Sequence, residues 1–311
     1  MDVVAPVLLC TLSILLFFVV ILTVFSFYYT FGRRKKEINL YYLLDGDDPK
    51  GIKACSKRLI DEFIKIEPTR DVYIQSHDGL SLHARYYESS KGAPIQIQCH
   101  GYRSISFRDF SGGGADCLQR GHNLLLIDQR AHGKSEGRVI SFGILERYDV
   151  LEWARWAAKE YPSSPILIYG ISMGAASALM ASELDLPENV RLIVADSPYS
   201  SPKEIITKVA GDMRLPGRLA YPLVKLSARI FGGFDLDASS PVSAVKNARV
   251  PILIVHGEGD GFVPCEMSRD IAAASDKIRL ELFPDATHGL SYIYDTERYK
   301  KIIDEFLNEH I

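Results

Sequence analysis

The segment from Leu167 to Leu179 constrains what this chain can fold into more than any other stretch. Pro165-Ile166-Leu167-Ile168-Tyr169 is a short apolar run of strand length. Gly170-x-Ser172-x-Gly174 follows at once, and Ala175 to Ala181 is helix-forming and built of residues small enough to lie close to a sheet. A strand, a turn flanked by glycines and a small-residue helix together describe a sharp elbow with the Ser172 hydroxyl at its apex. The plainer reading of the same residues is an ordinary strand-to-helix turn in which Ser172 caps the helix.

Such an elbow needs a sheet, and the rest of the chain supplies one. Val72-Tyr73-Ile74-Gln75 and Leu82 to Tyr87 flank the turn dipeptide Asp78-Gly79 and predict an antiparallel hairpin at one edge. Further strands are expected at Ile95–Cys99, Asn123–Asp128, Pro165–Gly170, Arg191–Asp196, Pro251–His256 and Ile278–Phe283. Helices are expected at Phe107–Arg120, Gly143–Tyr161, Met173–Leu184, Glu266–Ser275 and Thr296–His310. This alternation, with strands that are continuous apolar runs, predicts an α/β fold: a mostly parallel sheet covered by helices on both faces. One connection, residues 197–250, is too long for a crossover. Its prolines and its many apolar residues predict a small helical cap insertion over the site; the alternative is a structural insertion that never meets a ligand.

The N-terminus is a different material. Val3 to Phe31 carries no charge, and as a helix it would be about 43 Å long. That is enough to cross a hydrocarbon core of roughly 30 Å with tilt. Tyr28 and Tyr29 fall where an interfacial aromatic belt would lie, and Arg33-Arg34-Lys35-Lys36 follows. Residues 1–32 are therefore expected to be a transmembrane anchor rather than a cleaved leader, which would need a basic start and a small-residue cleavage site. The basic flank places the N-terminus outside and the remainder in the cytoplasm. Residues 33–70 read as a juxtamembrane connector, with Asp48-Pro49 as a helix start and a stripe of Ile52, Cys55, Leu59, Ile60, Phe63 and Ile66 suited to core packing. Residues 71–311 form the main domain.

Composition removes several classes of function. The net charge of −3 leaves no electrostatic footprint for nucleic acid. Five scattered cysteines contain no Cys-x-x-Cys pair, so neither a zinc site nor a disulfide framework is indicated. No metal or organic cofactor is expected.

The remaining question is what could activate Ser172. A serine hydroxyl needs a base, and the base needs an acid that fixes its tautomer. His288, in the loop Pro284-Asp285-Ala286-Thr287-His288-Gly289 after the last strand, is the candidate base; His310 lies at the terminus, and His256 reads as a packed turn residue. Asp260, in His256-Gly257-Glu258-Gly259-Asp260-Gly261, is the candidate acid, with Asp196 as rival and Glu258 third. Two backbone donors for an oxyanion are expected from Met173 and from Tyr102 in His100-Gly101-Tyr102-Arg103-Ser104. His100 and the run Asp128 to Ser135 read as loop braces.

His100-Gly101, Asp128-x-Arg130-x-x-Gly133-x-Ser135, Gly170-x-Ser172-x-Gly174, His256-Gly257-x-x-Asp260-x-x-Val263-Pro264 and His288 occur in that order. Together they resemble the α/β-hydrolase superfamily over roughly residues 70–311, in the branch of monoacylglycerol lipases and serine-aminopeptidase-like hydrolases, which includes membrane-anchored members. Ala131 stands where that family usually has Gly. The resemblance implies the fold, a Ser172–His288–Asp260 triad and hydrolysis. It leaves the substrate open among esters, lipids, amides and peptides. A carboxylic ester or acylglycerol is the expected substrate, a peptide or amide the alternative, and an inactive binding module the reading from another class. Lys208, Arg214, Arg218 and Lys225 in the insertion further suggest a cap that meets an anionic bilayer and admits acyl chains.

Overall fold

The structure is a computed structural model that describes residues 4–33 and 51–311. The basic run beyond Arg33, the apolar stretch at 39–44 and the expected helix start at Asp48-Pro49 lie outside the described residues. Two helices, α1 (Val4–Phe31) and α2 (Ile52–Phe63), precede a hairpin of β1 (Arg70–Gln75) and β2 (Ser81–Tyr87). There follow β3 (Ile95–Cys99), α3 (Ser106–Asp109), α4 (Ser111–Gln119), β4 (Asn123–Asp128), α5 (Glu146–Glu160), β5 (Ile166–Ile171), α6 (Met173–Ala181) and β6 (Val190–Asp196). The long connection holds α7 (Pro202–Asp212), α8 (Gly217–Ser227), a π-helical turn (Ala228–Gly232) and α9 (Pro241–Ala244). The chain closes with β7 (Ile252–Gly257), α10 (Glu266–Ala272), β8 (Ile278–Phe283), α11 (Ser291–Tyr294) and α12 (Thr296–His310).

The strands form one eight-stranded sheet in the order β1-β2-β4-β3-β5-β6-β7-β8. β1 and β2 are antiparallel at one edge, β2 runs antiparallel to β4, and every later pairing is parallel. Strands β3, β4 and β7 are buried at every residue, as cover on both faces requires, Gln96 and Gln98 of β3 included. β1 at the edge is mostly exposed. The strand order reverses at β3, with β4 on one side and β5 on the other. Loops leaving β3 and β5 therefore diverge at a switch point, where open α/β sheets form their binding crevice.

Two helices differ from expectation for local reasons. The span Phe107–Arg120 is broken at Phe110 (φ −113°, ψ 19°) into α3 and α4. The run Gly112-Gly113-Gly114 at the start of α4 weakens its helical preference but lets Tyr292 and Phe63 lie against its backbone, where a Cβ would stand 2.3 and 2.6 Å from their rings. Helix α5 starts at Glu146 rather than Gly143. The buried Glu146 carboxylate folds back to accept the N–H groups of Ser141 and Gly143, both at 2.8 Å, and so holds the preceding turn open. In α2, Ile60 and Phe63 are buried, and the Phe63 ring packs on Tyr87 and Phe107.

The N-terminal helix has two parts. From Val4 to Leu22, a helical length of about 28 Å, every described side chain is exposed. Burial begins at Thr23, and Phe27 and Phe31 belong to an apolar cluster with Met173, Tyr199, Tyr221 and Phe234. Phe31 is fully buried, its ring set edge-on to Phe142 and Phe234, while Phe27 meets Phe231 of the π-helical turn. The next residue, Gly32, forms an antiparallel bridge to Val139. Truncating the buried ring, Phe31→Ala, should lower stability by about 3–5 kcal/mol. Phe25→Ala, at a ring 63% exposed, should leave it unchanged. Chemical denaturation of the micelle-solubilised chain compares the two, and equal midpoints would mean that the helix end is not part of the core.

Candidate active site

Ser172 sits between β5 and α6 at φ 56° and ψ −117°, a conformation that costs a non-glycine residue about 1–3 kcal/mol. Its neighbours show why the turn must be so tight. A Cβ on Gly174 would stand 1.9 Å from the Cys99 carbonyl oxygen at the end of β3, and one on Gly170 would stand 2.4 Å from the Gly174 carbonyl. The first turn of α6 thus lies directly on the end of β3. The Ser172 N–H donates to the Asp196 carbonyl at 2.8 Å, and its own carbonyl starts the helix by accepting from Ala176 N–H at 2.9 Å. With the backbone held on both sides, the hydroxyl projects into a cavity of about 1090 Å³.

His288 and Asp260 complete the arrangement. The Ser172 hydroxyl lies 2.9 Å from His288 Nε2, and His288 Nδ1 lies 2.6 Å from Asp260 Oδ2. Oδ1 of Asp260 accepts the N–H groups of Phe262 and Val263 at 2.9 and 2.8 Å, so the carboxylate is aimed by its own turn. Burial would raise the Asp260 carboxyl, but hydrogen bonds from His256 and His288, the charge of His288 and the Val263 N–H outweigh it. They hold the group well below the usual carboxylate range. It therefore remains an anion whenever His288 would become a cation.

The rival acids have other partners. The Asp196 side chain accepts from the Ser197 hydroxyl at 2.9 Å and is fully buried, which pushes its carboxyl up to about 6. Glu258 is exposed and pairs with Arg269 at 3.1 Å. His256 is buried, with Nδ1 at 2.6 Å from Ser268 Oγ and Nε2 at 2.9 Å from the Val263 carbonyl, so it braces the Asp260 turn. His310 lies near Glu309 on the last turn of α12.

The loop after β3 carries the other expected residues. His100 is buried; its Nε2 accepts Gln129 N–H at 3.1 Å, which leaves Nδ1 to donate to the Gly101 carbonyl at 2.8 Å. Burial lowers its pKa and keeps it neutral. Tyr102 and Arg103 line the cavity with Ser172 and His288, and Met173 offers the first N–H of α6, one that a helix cannot satisfy internally. The run from Asp128 to Ser135 braces this region: Asp128 Oδ2 lies 2.8 Å from His83 Nδ1 and accepts Lys134 N–H, and Ser135 donates to the Asp128 carbonyl. Arg130 forms a bidentate pair with Asp149 and a second with Asp78. His77, Asp78 and Asp149 are the one group of potential metal ligands among the described residues, and Arg130 already occupies its two carboxylates. Ala131 takes φ 62°, the left-handed region that a glycine would fill without strain.

The insertion is helical, but among the described residues none between 197 and 250 lines the cavity. It reaches the site through Lys208, whose ammonium donates to the Gly261 carbonyl beside Phe262. Sequence reasoning did not foresee that the N-terminal helix would end against the loop that carries Tyr102. The signal present was the pair Phe27 and Phe31, spaced one turn apart ahead of a lone glycine.

Residues 97–221 match the alpha/beta hydrolase fold family, and residues 216–307 match the dienelactone hydrolase family. The chain is 24% identical over 194 residues to the uncharacterized protein YqkD of Bacillus subtilis, covering 61% of this chain and 64% of that protein. It is 26% identical over 212 residues to the lysophosphatidylserine lipase ABHD12 of Mus musculus, covering 61% of this chain and 49% of the lipase. The chain thus spans about half to two thirds of the length of these curated relatives. Among solved structures, the esterase Pf2001 of Pyrococcus furiosus superposes with a TM-score of 0.63 at 26% identity, covering 78% of this chain and 91% of the esterase. Est1E of Butyrivibrio proteoclasticus, solved with ferulic acid bound, shares the fold at a TM-score of 0.59 and 22% identity, covering 76% of this chain and 98% of its own.

The contact between α6 and β3 admits a direct test. Gly174→Ala places a methyl group against backbone, which cannot move aside as a side chain would. The expected cost is at least about 3 kcal/mol, the upper range for overpacking. Circular dichroism melting reads it, and a melting curve that matches the unmodified protein would show that the elbow is looser than described.

Proposed function

We propose that this chain, which has the α/β-hydrolase fold, is a serine esterase that cleaves a carboxylic ester or acylglycerol through an acyl-enzyme. The observation that carries this reading is the placement of His288 between Ser172 Oγ and Asp260 Oδ2, at 2.9 and 2.6 Å. In the proposed reaction Ser172 Oγ attacks the acyl carbon while its proton passes to His288 Nε2. Asp260, ionised and held by two backbone N–H groups, stabilises the imidazolium formed. The N–H groups of Met173 and Tyr102 receive the oxyanion. His288 then protonates the departing alkoxide, and a water activated by the same His288 releases the acid. The esterase and lipase names of the relatives support an acyl ester as substrate.

We read α1 as a membrane anchor. Its exposed part, about 28 Å, is close to the roughly 30 Å of a hydrocarbon core. Its last turns are built into the apolar cluster, and cleavage of a leader would strip Phe27 and Phe31 from it. Those turns pack against α8. On α8 and its continuation, Leu219, Pro222, Leu226 and Ile230 recur at helical spacing and are all exposed. This stripe would enter the interfacial layer beside the anchor. The charges expected to do so are partly neutralised within the insertion: Lys208 pairs with Asp212, Lys225 with Asp237 and Arg229 with Asp235. Apolar insertion is therefore favoured over attraction to anionic lipid as the reason for membrane contact.

Ser172→Ala should reduce ester turnover by about four orders of magnitude, and so should Asp260→Asn, with folding intact in both. Asp196→Asn should retain activity, and a fluorophosphonate probe should label the unmodified chain and not Ser172→Ala. Activity lost in Asp196→Asn but kept in Asp260→Asn would move the acid to Asp196, and absence of labelling would favour a binding module. The basic residues Arg33 to Lys36 support a cytoplasmic orientation of the domain. Protease added to sealed cells should spare it, and digestion without membrane rupture would reverse the orientation.

A further inference from the structure

The final turn of α1 ends against the loop that carries the proposed oxyanion donor Tyr102, and the two satisfy each other's polar groups. A helix leaves its last carbonyls without intrahelical partners. Here the Tyr28 carbonyl accepts Gly32 N–H at 3.2 Å, and the Phe31 carbonyl accepts Ile140 N–H at 2.8 Å. The others go to the loop after β3. The Tyr102 hydroxyl donates to the Thr30 carbonyl at 2.7 Å. The Arg103 guanidinium donates to the Tyr29 carbonyl at 2.7 Å and the Gly32 carbonyl at 3.1 Å. A cation at a helix C-terminus also meets the negative end of the helix dipole.

The same loop is tied on its other side. Arg103 has φ 50°, in the left-handed region, and its N–H donates to His132 Nε2 at 3.0 Å. Burial foremost, with the neighbouring His100, holds His132 down to about 3, so this nitrogen stays an acceptor. Arg33, the residue after the helix and its bridge, donates from its guanidinium to the Gly133 and Ser135 carbonyls at 2.9 and 3.1 Å. A closed circuit therefore runs from the helix end to Tyr102-Arg103, on to the 130–135 loop, and back to Arg33.

We propose that the C-terminal turn of α1 is a positioning element of the oxyanion hole, so that turnover depends on the docking of the membrane helix and not only on its anchoring. This rests on the esterase reading above. Tyr102 contributes its backbone N–H to the hole, while its hydroxyl and the Arg103 guanidinium set where that N–H points. Thr30 and Tyr29 act through their carbonyls, and neither touches substrate.

The test uses the full chain in detergent micelles with p-nitrophenyl butyrate, a soluble ester that needs no bilayer. Tyr102→Phe keeps the ring and the backbone donor and removes the bond to Thr30; Arg103→Gln removes the clamp on Tyr29 and Gly32. Both should lower kcat by about tenfold or more, part of the loss seen when an oxyanion donor is deleted. KM should move by less than about threefold, since the interaction strengthens only in the transition state. Affinity for an alkyl trifluoromethyl ketone should weaken by the same factor as kcat/KM. That compound adds the Ser172 Oγ to its carbonyl carbon, passes the proton to His288 and leaves its oxyanion in the hole. The melting midpoint should fall by no more than about 4 °C, so a general loss of structure would not mimic the result.

The helix side should give the same phenotype. Phe31→Ala, assayed well below its own lowered melting midpoint so that the chain is folded, should reproduce the fall in kcat, and Tyr102→Phe added to it should cost less than about twofold more, because both break one linkage. Losses that multiply fully would overturn the proposal. Wild-type kcat and inhibitor affinity in Tyr102→Phe and Arg103→Gln, with Ser172→Ala inactive, would overturn it while leaving the esterase reading in place. Activity that survives Ser172→Ala would overturn the esterase reading itself.

Discussion

The contact between the first turn of α6 and the end of β3 governs the site. Gly174 brings the helix to within a methyl group of the Cys99 carbonyl, and no residue with a Cβ fits there. That approach forces the turn at Ser172 into φ 56° and ψ −117°. The strain is held because the Ser172 N–H and carbonyl are both bonded, to the Asp196 carbonyl and to Ala176 N–H. A hydroxyl on a relaxed turn would rest against its own helix. Here it is pushed out between the loops that follow β3 and β8. The sheet order matters for the same reason, since the reversal at β3 keeps the loops after β3 and β5 from covering each other.

Around that hydroxyl, burial assigns protonation states to groups of similar chemistry. Asp196 ends β6, Asp260 lies in the turn after β7, and both are buried. Asp260 receives two backbone N–H bonds and two imidazoles, so its anion is favoured in spite of desolvation. Asp196 receives no backbone N–H bond like those on Asp260; it meets the Ser197 hydroxyl, desolvation dominates, and its carboxyl is pushed up to about 6. The histidines divide in the same way. His100 and His132 are buried and held neutral, and each uses a ring nitrogen as a fixed acceptor for loop N–H groups. His288 is partly exposed and opens onto the cavity.

The N-terminal helix has two kinds of surface. Its first part shows a side-chain surface suited to lipid at every turn, and its last part contributes two rings to the interior of the domain. Because its terminal carbonyls are bonded by Tyr102 and Arg103, the orientation of the domain relative to the helix axis is fixed by hydrogen bonds and not by a flexible tether. α8, with its exposed apolar stripe, packs alongside. The cavity is lined by residues of α2, α4 and α11 and also by Tyr102 and Arg103, the two residues on which α1 ends.

Much of this was legible from residue order. Strand and helix alternation specified the sheet, because two-sided burial requires continuous apolar strands. The glycines around Ser172 specified the elbow, because only a residue without Cβ permits that turn. Position after a strand picked out His288 and Asp260, because loops at that edge converge. Other features have no local signature. Whether Asp196 or Asp260 reaches His288 depends on side-chain directions set by two separate turns. The close packing of the Phe63 and Tyr292 rings on Gly114 and Gly112 depends on segments distant in sequence. The place of the 197–250 insertion, beside the cavity and not in its wall, is a matter of which helices it packs against. The end of α1 is the clearest case. As sequence, Val3 to Phe31 is uniformly apolar and reads as one membrane span. Only the tertiary structure decides that its last turns pack into the domain, because the partners of its terminal carbonyls, Tyr102 and Arg103, lie about seventy residues away along the chain and meet it only once the sheet has formed.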